Sequence, residues 1–295
     1  MRDTDAPAQA RNEAGSPRAV FVDIDGTLCD SRQRVPDSAI RALAQARERG
    51  HRLFVCTGRS VPEVYPRFVD LGFEGIVGGA GGYAAVGNKV LLDERMPREH
   101  VDVLTALWED LDAFFIWQGP DQMGPSEGYL DFFVPRAGKH PEDWIEYAQS
   151  ISPFIVDIDG GAFTKVTAYV PPDKASLERV SAALPEGYRA IIGSVGAAGY
   201  VPFEIIPDHL SKAVGMQAVC DTSASPCHAP WPSATLTTTS RPWRALPSAS
   251  ALAVAAMTWL RSPTSLPPQS ARAALPGRWQ PPDSSTRHPH RPRPR

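Results

Sequence analysis

Two carboxylates stand two residues apart where an apolar run ends. Asp23 and Asp25 follow residues 19–22 and lead into Gly26. In an extended chain, side chains at positions i and i+2 point to the same side, so both carboxylates can face one Mg²⁺ and one phosphate. One can attack phosphorus while the other protonates the leaving oxygen and later activates water. Gly26 lets the backbone turn sharply after the pair. The spacing therefore predicts phosphoryl-transfer chemistry at this pair of aspartates.

The same four-letter sequence, Asp-Ile-Asp-Gly, occurs again at residues 157–160 and gives a useful comparison. A lone pair of aspartates at this spacing is ordinarily a solvated turn. The first copy follows a run typical of a buried strand and continues as Gly-Thr-Leu, whereas the second continues as Gly161-Ala162. We interpret the first copy as the chemical site and the second as a turn.

Two later positions could add donors for a phosphate. Thr57 and Gly58 follow the next apolar run, where a hydroxyl and a backbone N–H can both donate to a phosphoryl oxygen, although the same residues could also cap a helix. Lys212 follows Ser211 at the start of a predicted helix, which is an unfavourable place for a cation unless an anion lies nearby. The alternative for Lys212 is an ordinary surface lysine.

Strands and helices alternate in the first part of the chain. This order predicts an α/β fold with a Rossmann-like parallel-sheet core, whose ligand site lies beyond the carboxyl ends of the strands. The predicted strands are 19–24, 53–56 and 75–77, and the helices between them are 36–48 and 62–69.

A glycine-rich stretch at residues 78–87 interrupts the alternation of strands and helices. The next hundred or so residues contain both strands and helices, which predicts an inserted α/β cap domain. A strand at 203–206 and a helix at 211–220 are interpreted as the return to the core. The predicted organisation is a flexible extension at 1–18, an incomplete core at 19–82 and 200–221, a cap at 83–199, and a tail at 222–295.

The tail differs in composition from the rest of the chain. From residue 222 onward it has no Lys, Glu, Phe, Tyr, Asn or Ile and is dominated by Pro, Ser, Ala, Thr and Arg. Such a stretch cannot bury enough apolar surface to offset the cost of ordering it, so the composition predicts disorder.

The overall charge favours a small molecule over nucleic acid or an anionic membrane as the binding partner. A net charge of -3 gives no basis for binding nucleic acid or an anionic membrane, so a small molecule is the expected partner. The four cysteines lack metal-like spacing and fit a reducing cytoplasm. The first eighteen residues lack the pattern of a secretory signal, and the best apolar window, at 251–260, is too short to span a membrane.

The three motifs, Asp-Ile-Asp-Gly-Thr, Thr-Gly-Arg and Ser-Lys, together resemble those of the haloacid-dehalogenase (HAD) superfamily of phosphohydrolases and occur in the same order. The large insertion, with Gly-Gly-Ala-Gly-Gly-Tyr where relatives have an Asn-Gly-Ala turn, is similar to the Cof-type branch (subclass IIB). The resemblance implies that Asp23 is nucleophile and metal ligand, and that Asp25 is general acid and base with its backbone carbonyl on the metal. The implied phosphate-binding residues are Gly26, Thr57, Gly58 and Lys212. Thr57 and Lys212 are also implied to be catalytic, Thr57 as a phosphate donor and Lys212 as the cation that stabilises both the nucleophile and the phosphate.

The implied activity is Mg²⁺-dependent hydrolysis of a small organic phosphate, such as a sugar phosphate, through an aspartyl-phosphate. A phosphomutase and a catalytically inactive remnant that binds phosphate remain alternatives. The resemblance leaves the substrate and the oligomeric state open. Cap residues Trp117, Asp121 and Tyr129 could line a substrate pocket, although packing within the cap is the simpler interpretation.

The family motif that supplies a further acidic metal ligand, Gly-Asp-x-x-Asn-Asp, is missing from the chain, whose last two acidic residues are Asp221 and Asp283. Codons for residues 230–240, read one base out of frame, can encode Met-Ala-Phe-Gly-Asp-Ser-Asp-Asn-Asp-Leu, which contains this motif. We hypothesise that a frameshift near residues 220–221, in the gene or in its sequencing, replaced the C-terminal quarter. Because the missing motif would complete the metal site, we expect the phosphatase activity of this chain to be impaired. Resequencing these codons tests the hypothesis, and the same frame in close relatives would contradict it.

Overall fold

The structure is a computed structural model, and its described residues form two β-sheets. The predicted residues Asp23 and Thr57 directly follow two strands of the first sheet. The residues described are 18–30, 32–138, 140, 144–222 and 257–259.

The first sheet has the parallel centre that the sequence predicts. Its strand order is β11-β1-β2-β3-β4-β5, in which β1, β2 and β3 are parallel and the remaining neighbours are antiparallel. The apolar runs form strands here because their side chains are buried on both faces. The strands are β1 (Ala19–Val22), β2 (Arg52–Cys56), β3 (Gly75–Gly78), β4 (Tyr83–Val86), β5 (Lys89–Asp93) and β11 (Met257–Trp259).

Among the described residues, three helices accompany the first sheet: α1 (Asp37–Glu48), α2 (Pro66–Val69) and α7 (Lys212–Thr222). Helix α7 buries Met216 and Val219 in a cluster with side chains of β1, β2 and β3. That packing fixes the first residue of α7, Lys212, near the carboxyl edge of the parallel strands.

The second sheet is antiparallel throughout, with strand order β7-β6-β8-β10-β9. Helices α3 (Arg98–Asp110) and α6 (Leu177–Ala182) pack on one face, and α4 (Tyr129–Phe133) and α5 (Ile145–Ile151) lie between β7 and β8 in sequence. The strands are β6 (Phe114–Gln118), β7 (Met123–Pro125), β8 (Lys165–Val170), β9 (Tyr188–Ile192) and β10 (Val201–Pro207).

Strand pairing places two segments differently from the sequence prediction. The expected return to the core at 200–206 is wrong, because β10 lies between β8 and β9 in the second sheet and buries Phe203 and Ile205 in the cluster beneath α3. Conversely, β4 and β5, at 83–93, were expected in the cap but extend the first sheet through antiparallel pairing with β3. The chain therefore returns to the first sheet only after β10, at α7.

Several expectations concern residues at the ends of the chain. The predicted extension and the tail, including the proposed out-of-frame motif, lie outside the described residues except for Arg18, Thr222 and β11. Strand β11 pairs antiparallel with β1 through Ala19, Val20 and Phe21. Within the described residues, no helix combines the length and apolarity needed to cross a membrane.

Candidate active site

Two of the predicted residues, Asp23 and Thr57, follow neighbouring parallel strands and so lie at the same edge of the first sheet. β1 ends at Val22 and β2 at Cys56, and Val22 pairs in register with Val55, so Asp23 and Thr57 emerge close together. The carboxyl edge of a parallel sheet is where α/β folds place their ligands.

The carboxylate of Asp23 is paired with Lys212. Lys212 Nζ donates to Asp23 Oδ2 at 2.6 Å, and each side chain is 30% exposed. The other oxygen of Asp23, Oδ1, accepts the backbone N–H of Ile24 at 2.9 Å. The structure therefore brings together a carboxylate and a cation that are far apart in sequence, at a position still open to solvent.

The turn after Asp23 depends on a positive backbone φ. Gly26 has a φ of +72°, and the N–H of Leu28 returns to the carbonyl of Asp23 at 3.0 Å. Only glycine adopts this conformation without strain. No described atom lies within 4 Å of a Cβ built on Gly26, so the space beside this backbone is open.

Asp25 is held by a different cation, the guanidinium of Arg59. Arg59 Nε donates to Asp25 Oδ2 at 2.8 Å and Nη2 donates to Oδ1 at 2.6 Å, while Gln33 Nε2 donates to Oδ1 at 3.3 Å. Burial raises the pKa of Asp25, but the hydrogen bonds and charge of Arg59, helped by Gln33 and Lys212, outweigh burial and bring the pKa below its usual range. The two carboxylates are thus assigned to two separate cations.

Thr57 is completely buried at the next strand end. Its N–H donates to the carbonyl of Val77 at 2.8 Å, and its hydroxyl oxygen accepts the N–H of Arg59 at 3.2 Å. The hydroxyl hydrogen can still be donated to a ligand. A Cβ built on Gly58 would have no described atom within 4 Å, and the carbonyl of Arg59 accepts the N–H of Gly79 at 2.7 Å. This loop is therefore tied to the glycine-rich loop after β3.

The glycine-rich loop also sets the position of Lys212. Gly81 has a φ of +103°, and a Cβ there would lie 1.9 Å from the carbonyl oxygen of Ser211 and 2.9 Å from the nitrogen of Lys212. A Cβ on Gly215, one turn into α7, would lie 2.4 Å from Val77 Cγ1. Close backbone contact at these two glycines brings the start of α7 to Asp23.

Two residues that organise the site, Arg59 and Gln33, were not predicted from the sequence. Arg59 was noted only as the last letter of its motif, yet its guanidinium also lies over the Tyr65 ring, 5.1 Å from the centroid. Gln33 is buried, and its side-chain amide contacts both Asp25 and Arg59. Its backbone φ is +59°, a value that residues other than Gly, Asn and Asp seldom adopt. The Arg59 signal was available in the motif, whereas nothing in the local sequence indicates the role of Gln33.

The donor set for Mg²⁺ is small. In the described part of the chain, no three His, Cys, Asp or Glu residues form a group that could hold a metal. Arg59 occupies both carboxylate oxygens of Asp25, which leaves its backbone carbonyl and the Asp23 carboxylate as ligands of the type that Mg²⁺ prefers. Because Mg²⁺ often keeps several waters and binds substrate phosphate, these two oxygens fit part of its shell.

The candidate cap residues are mainly structural. Trp117 is buried and donates from Nε1 to Thr105 Oγ1 at 3.0 Å, and Tyr129 is buried in an aromatic cluster. Asp121 accepts from Arg95 at 2.9 Å. The second Asp-Ile-Asp-Gly sequence forms a short 3-10 turn, Ile158–Gly160, as predicted.

Comparison with known proteins gives a consistent family assignment. Residues 20–226 match the sequence model of the Hydrolase_3 family, described as haloacid dehalogenase-like hydrolase. The chain is 29% identical over 84 residues to "Putative phosphatase YkrA" of Bacillus subtilis (strain 168), and 37% identical over 57 residues to "Pyridoxal phosphate phosphatase YbhA" of Escherichia coli (strain K12). These alignments cover 28% and 19% of this chain, and only 33% and 21% of those two relatives.

Two solved structures share the fold. A haloacid dehalogenase-like hydrolase from B. subtilis matches with a TM-score of 0.55 and 17% identity, over 69% of this chain and 78% of that one. The HAD subclass IIB sugar phosphatase BT4131 matches with a TM-score of 0.52 and 20% identity, over 69% of this chain and 75% of that one. At such low identity these likenesses show the fold alone.

Proposed function

Because this chain belongs to the haloacid dehalogenase-like hydrolase family, we propose that it hydrolyses a small organic phosphate through a covalent aspartyl-phosphate at Asp23. The observation that carries the proposal is the division of the two carboxylates between two cations. Asp23 pairs with Lys212 and Asp25 pairs with Arg59, so adjacent carboxylates of the same type occupy different environments. With different environments, one carboxylate, Asp23, can attack phosphorus while the other, Asp25, transfers protons.

The reaction follows from these positions. An oxygen of Asp23 forms a bond to phosphorus as the bond from phosphorus to the ester oxygen breaks, and Asp25 gives its proton to that leaving oxygen. Asp25 then takes a proton from water as the water oxygen bonds to phosphorus and the Asp23 oxygen departs. Phosphate is released and both carboxylates are restored. Arg59 favours the ionised form of Asp25, which is the form that the second step needs, so the first step requires that the bound substrate weaken the Arg59 contact and let Asp25 take up a proton.

The phosphate-binding residues in this proposal are Gly26, Thr57, Gly58 and Lys212. Lys212 would neutralise charge on phosphate as well as on Asp23, and the Thr57 hydroxyl would donate to a phosphoryl oxygen. Mg²⁺, held by Asp23 and the Asp25 carbonyl, would add positive charge against the phosphate oxygens when bound. The second sheet would act as the cap over a small phosphorylated metabolite. The free, buried thiols of Cys29 and Cys56 suit the reducing cytoplasm that we propose as the location.

The test is hydrolysis of p-nitrophenyl phosphate in the presence of Mg²⁺ by the full chain. We expect turnover that the Asp23→Asn variant abolishes. The matched control is Asp157→Asn, which alters the same position in the exposed second copy of Asp-Ile-Asp-Gly and should leave turnover unchanged. Equal turnover by Asp23→Asn and the parent would refute the proposal.

A second candidate function is phosphate binding without turnover. The small donor set for Mg²⁺ among the described residues favours it, because a weakly held metal removes much of the charge neutralisation that phosphoryl transfer needs. Calorimetric binding of inorganic phosphate by a chain that shows no hydrolysis would support this candidate over the phosphatase.

A further inference from the structure

A pocket of about 430 Å³ lies between the loop that follows β1, helices α1 and α2, and helix α5. Its volume is within the range of about 300–1,000 Å³ that is typical of small-molecule sites. Asp23, Asp25, Thr57 and Lys212 are not among the described residues that line it. The pocket is therefore a different feature from the candidate active site, although Gln33 borders both.

The charged part of the pocket lining is mostly cationic. Among the described lining residues, Arg32, Arg34 and Arg67 carry positive charge and Glu146 alone carries negative charge. Arg34 also pairs with Asp30, which is not among those lining residues, at 3.4 Å. A concave surface with this balance of charge attracts an anion.

The Arg67 guanidinium is fixed in one orientation. It lies over the rings of Tyr65 and Phe68, 4.5 and 4.8 Å from their centroids. Its Nη2 atom donates to the carbonyl of Gln33 at 3.0 Å, and its Nη1 atom contacts the Glu146 carboxylate. A guanidinium has more N–H donors than these two contacts use. Arg67 is therefore oriented in advance for hydrogen bonds to a carboxylate ligand.

The remaining lining is largely apolar. Val35, Ile40 and Leu71 border the pocket, and the side chain of Ile40 is 42% exposed. Covering such side chains with an apolar ligand is favourable, whereas a small hydrated ion gains nothing from them. An oriented guanidinium beside an apolar wall therefore suits an anion that has an apolar body.

We propose that this pocket is a second ligand site, which binds an organic carboxylate with a compact apolar body, such as an aromatic carboxylate. Arg67 donates to the carboxylate, Arg34 adds positive charge, and Ile40 and Leu71 contact the apolar body. The ligand competes with Glu146 for Arg67, and this competition costs little because the two side chains are 45% and 37% exposed and such exposed ion pairs are weak. The proposal goes beyond the proposed phosphatase function and does not depend on it.

Three probes separate the charge of the ligand from its apolar contacts. 2-Naphthoate has a carboxylate and an aromatic body, 2-naphthamide has the same body without the charge, and acetate has the charge without the body. Binding of each probe to the full chain is measured by calorimetry. We expect 2-naphthoate to bind saturably at one site, and the other two probes to bind at least about tenfold more weakly.

Three variants assign the binding of 2-naphthoate to this pocket. Arg67→Met should weaken binding about tenfold or more, because the charged hydrogen bonds are lost. Glu146→Gln should strengthen binding about threefold or more, because it removes the competing carboxylate and its repulsion of the ligand. The matched control is Arg52→Met. Arg52 is 36% exposed, lies over the Phe54 ring at 5.3 Å and pairs with Glu74, but it is not a lining residue, so its loss should leave binding unchanged.

The opposite effects expected of Arg67→Met and Glu146→Gln keep the test decisive even where one variant folds poorly. Equal binding of 2-naphthoate and 2-naphthamide overturns the inference. So does Glu146→Gln that leaves binding unchanged or weaker, or Arg52→Met that weakens it as much as Arg67→Met. Lys212→Met should bind 2-naphthoate as the parent does, and loss of binding there would move the ligand to the candidate active site and overturn the inference. Failure to hydrolyse p-nitrophenyl phosphate bears only on the proposed function.

Discussion

Substitution of Gly81 by alanine should damage catalysis through the backbone alone. Gly81 has a φ of +103°, and a Cβ at this position would lie 1.9 Å from the Ser211 carbonyl oxygen and 2.3 Å from its carbonyl carbon. Both are backbone atoms directly before Lys212, so no flexible side chain can move aside. Because real Cβ atoms keep at least 3.0 Å from such atoms, the loop and the start of α7 must separate by about 1.1 Å.

That separation has a calculable effect on the site. Lys212 Nζ lies 2.6 Å from Asp23 Oδ2, and a shift of its backbone lengthens or misaligns this contact. A misplacement of about 1 Å at a catalytic centre can cost about 100-fold in rate. We therefore expect the kcat/KM of Gly81→Ala for p-nitrophenyl phosphate to fall about 100-fold, with a further roughly 1–3 kcal/mol of unfolding free energy lost to backbone strain.

The control separates strain from displacement. Gly187 has a similar positive φ of +86°, but no described atom lies within 4 Å of a Cβ built there. Gly187→Ala should therefore lose a comparable amount of unfolding free energy, measured by urea denaturation, and keep its kcat/KM. If Gly81→Ala retained kcat/KM within about twofold of the parent, the inferred positioning of Lys212 by this loop would be wrong.

Three further predictions follow from other contacts. Arg59→Lys should lower kcat about 10-fold or more with little change in circular dichroism, because a lysine cannot reproduce the two parallel hydrogen bonds to Asp25; unchanged kcat would show that this geometry is dispensable. Glu63→Ala should lose about 1–3 kcal/mol of unfolding free energy, measured by urea denaturation, because the buried donors of Ser60 and Gln118 would lose their acceptor. An unchanged denaturation midpoint would contradict the role of these hydrogen bonds. Cys29 and Cys56, whose pKa values burial raises to about 12, should resist iodoacetamide at pH 8 in peptide mapping until the chain is unfolded; rapid native labelling would contradict their burial.

Much of the first sheet could be predicted from sequence because its signals are local. The runs that became β1, β2 and β3 are apolar, short and followed by polar motif residues, which is the pattern of buried parallel strands. Lys212 could be placed near Asp23 because a cation at a helix start needs a nearby anion. The roles of the site residues remain predictions that the experiments above address.

The errors arose where the information is not local. The segment that forms β10 has an apolar alternation that either sheet could accept, and only its pairing with β8 and β9 decides between them. The β4 and β5 hairpin was assigned to the cap because the glycine-rich loop looked like a domain boundary, although the chain folds back onto β3. Gln33 reaches Asp25 through a positive φ that no residue pattern indicates.

The most direct test of the central claim is chemical trapping of the intermediate. The full chain is mixed with p-nitrophenyl phosphate and Mg²⁺, quenched in acid within one turnover, and digested for mass spectrometry. We predict one added phosphoryl group on the peptide that contains Asp23, and none on that peptide from the Asp23→Asn variant. Turnover with no phosphorylated peptide, or with the phosphoryl group on another residue, would contradict the assignment of Asp23 as the nucleophile.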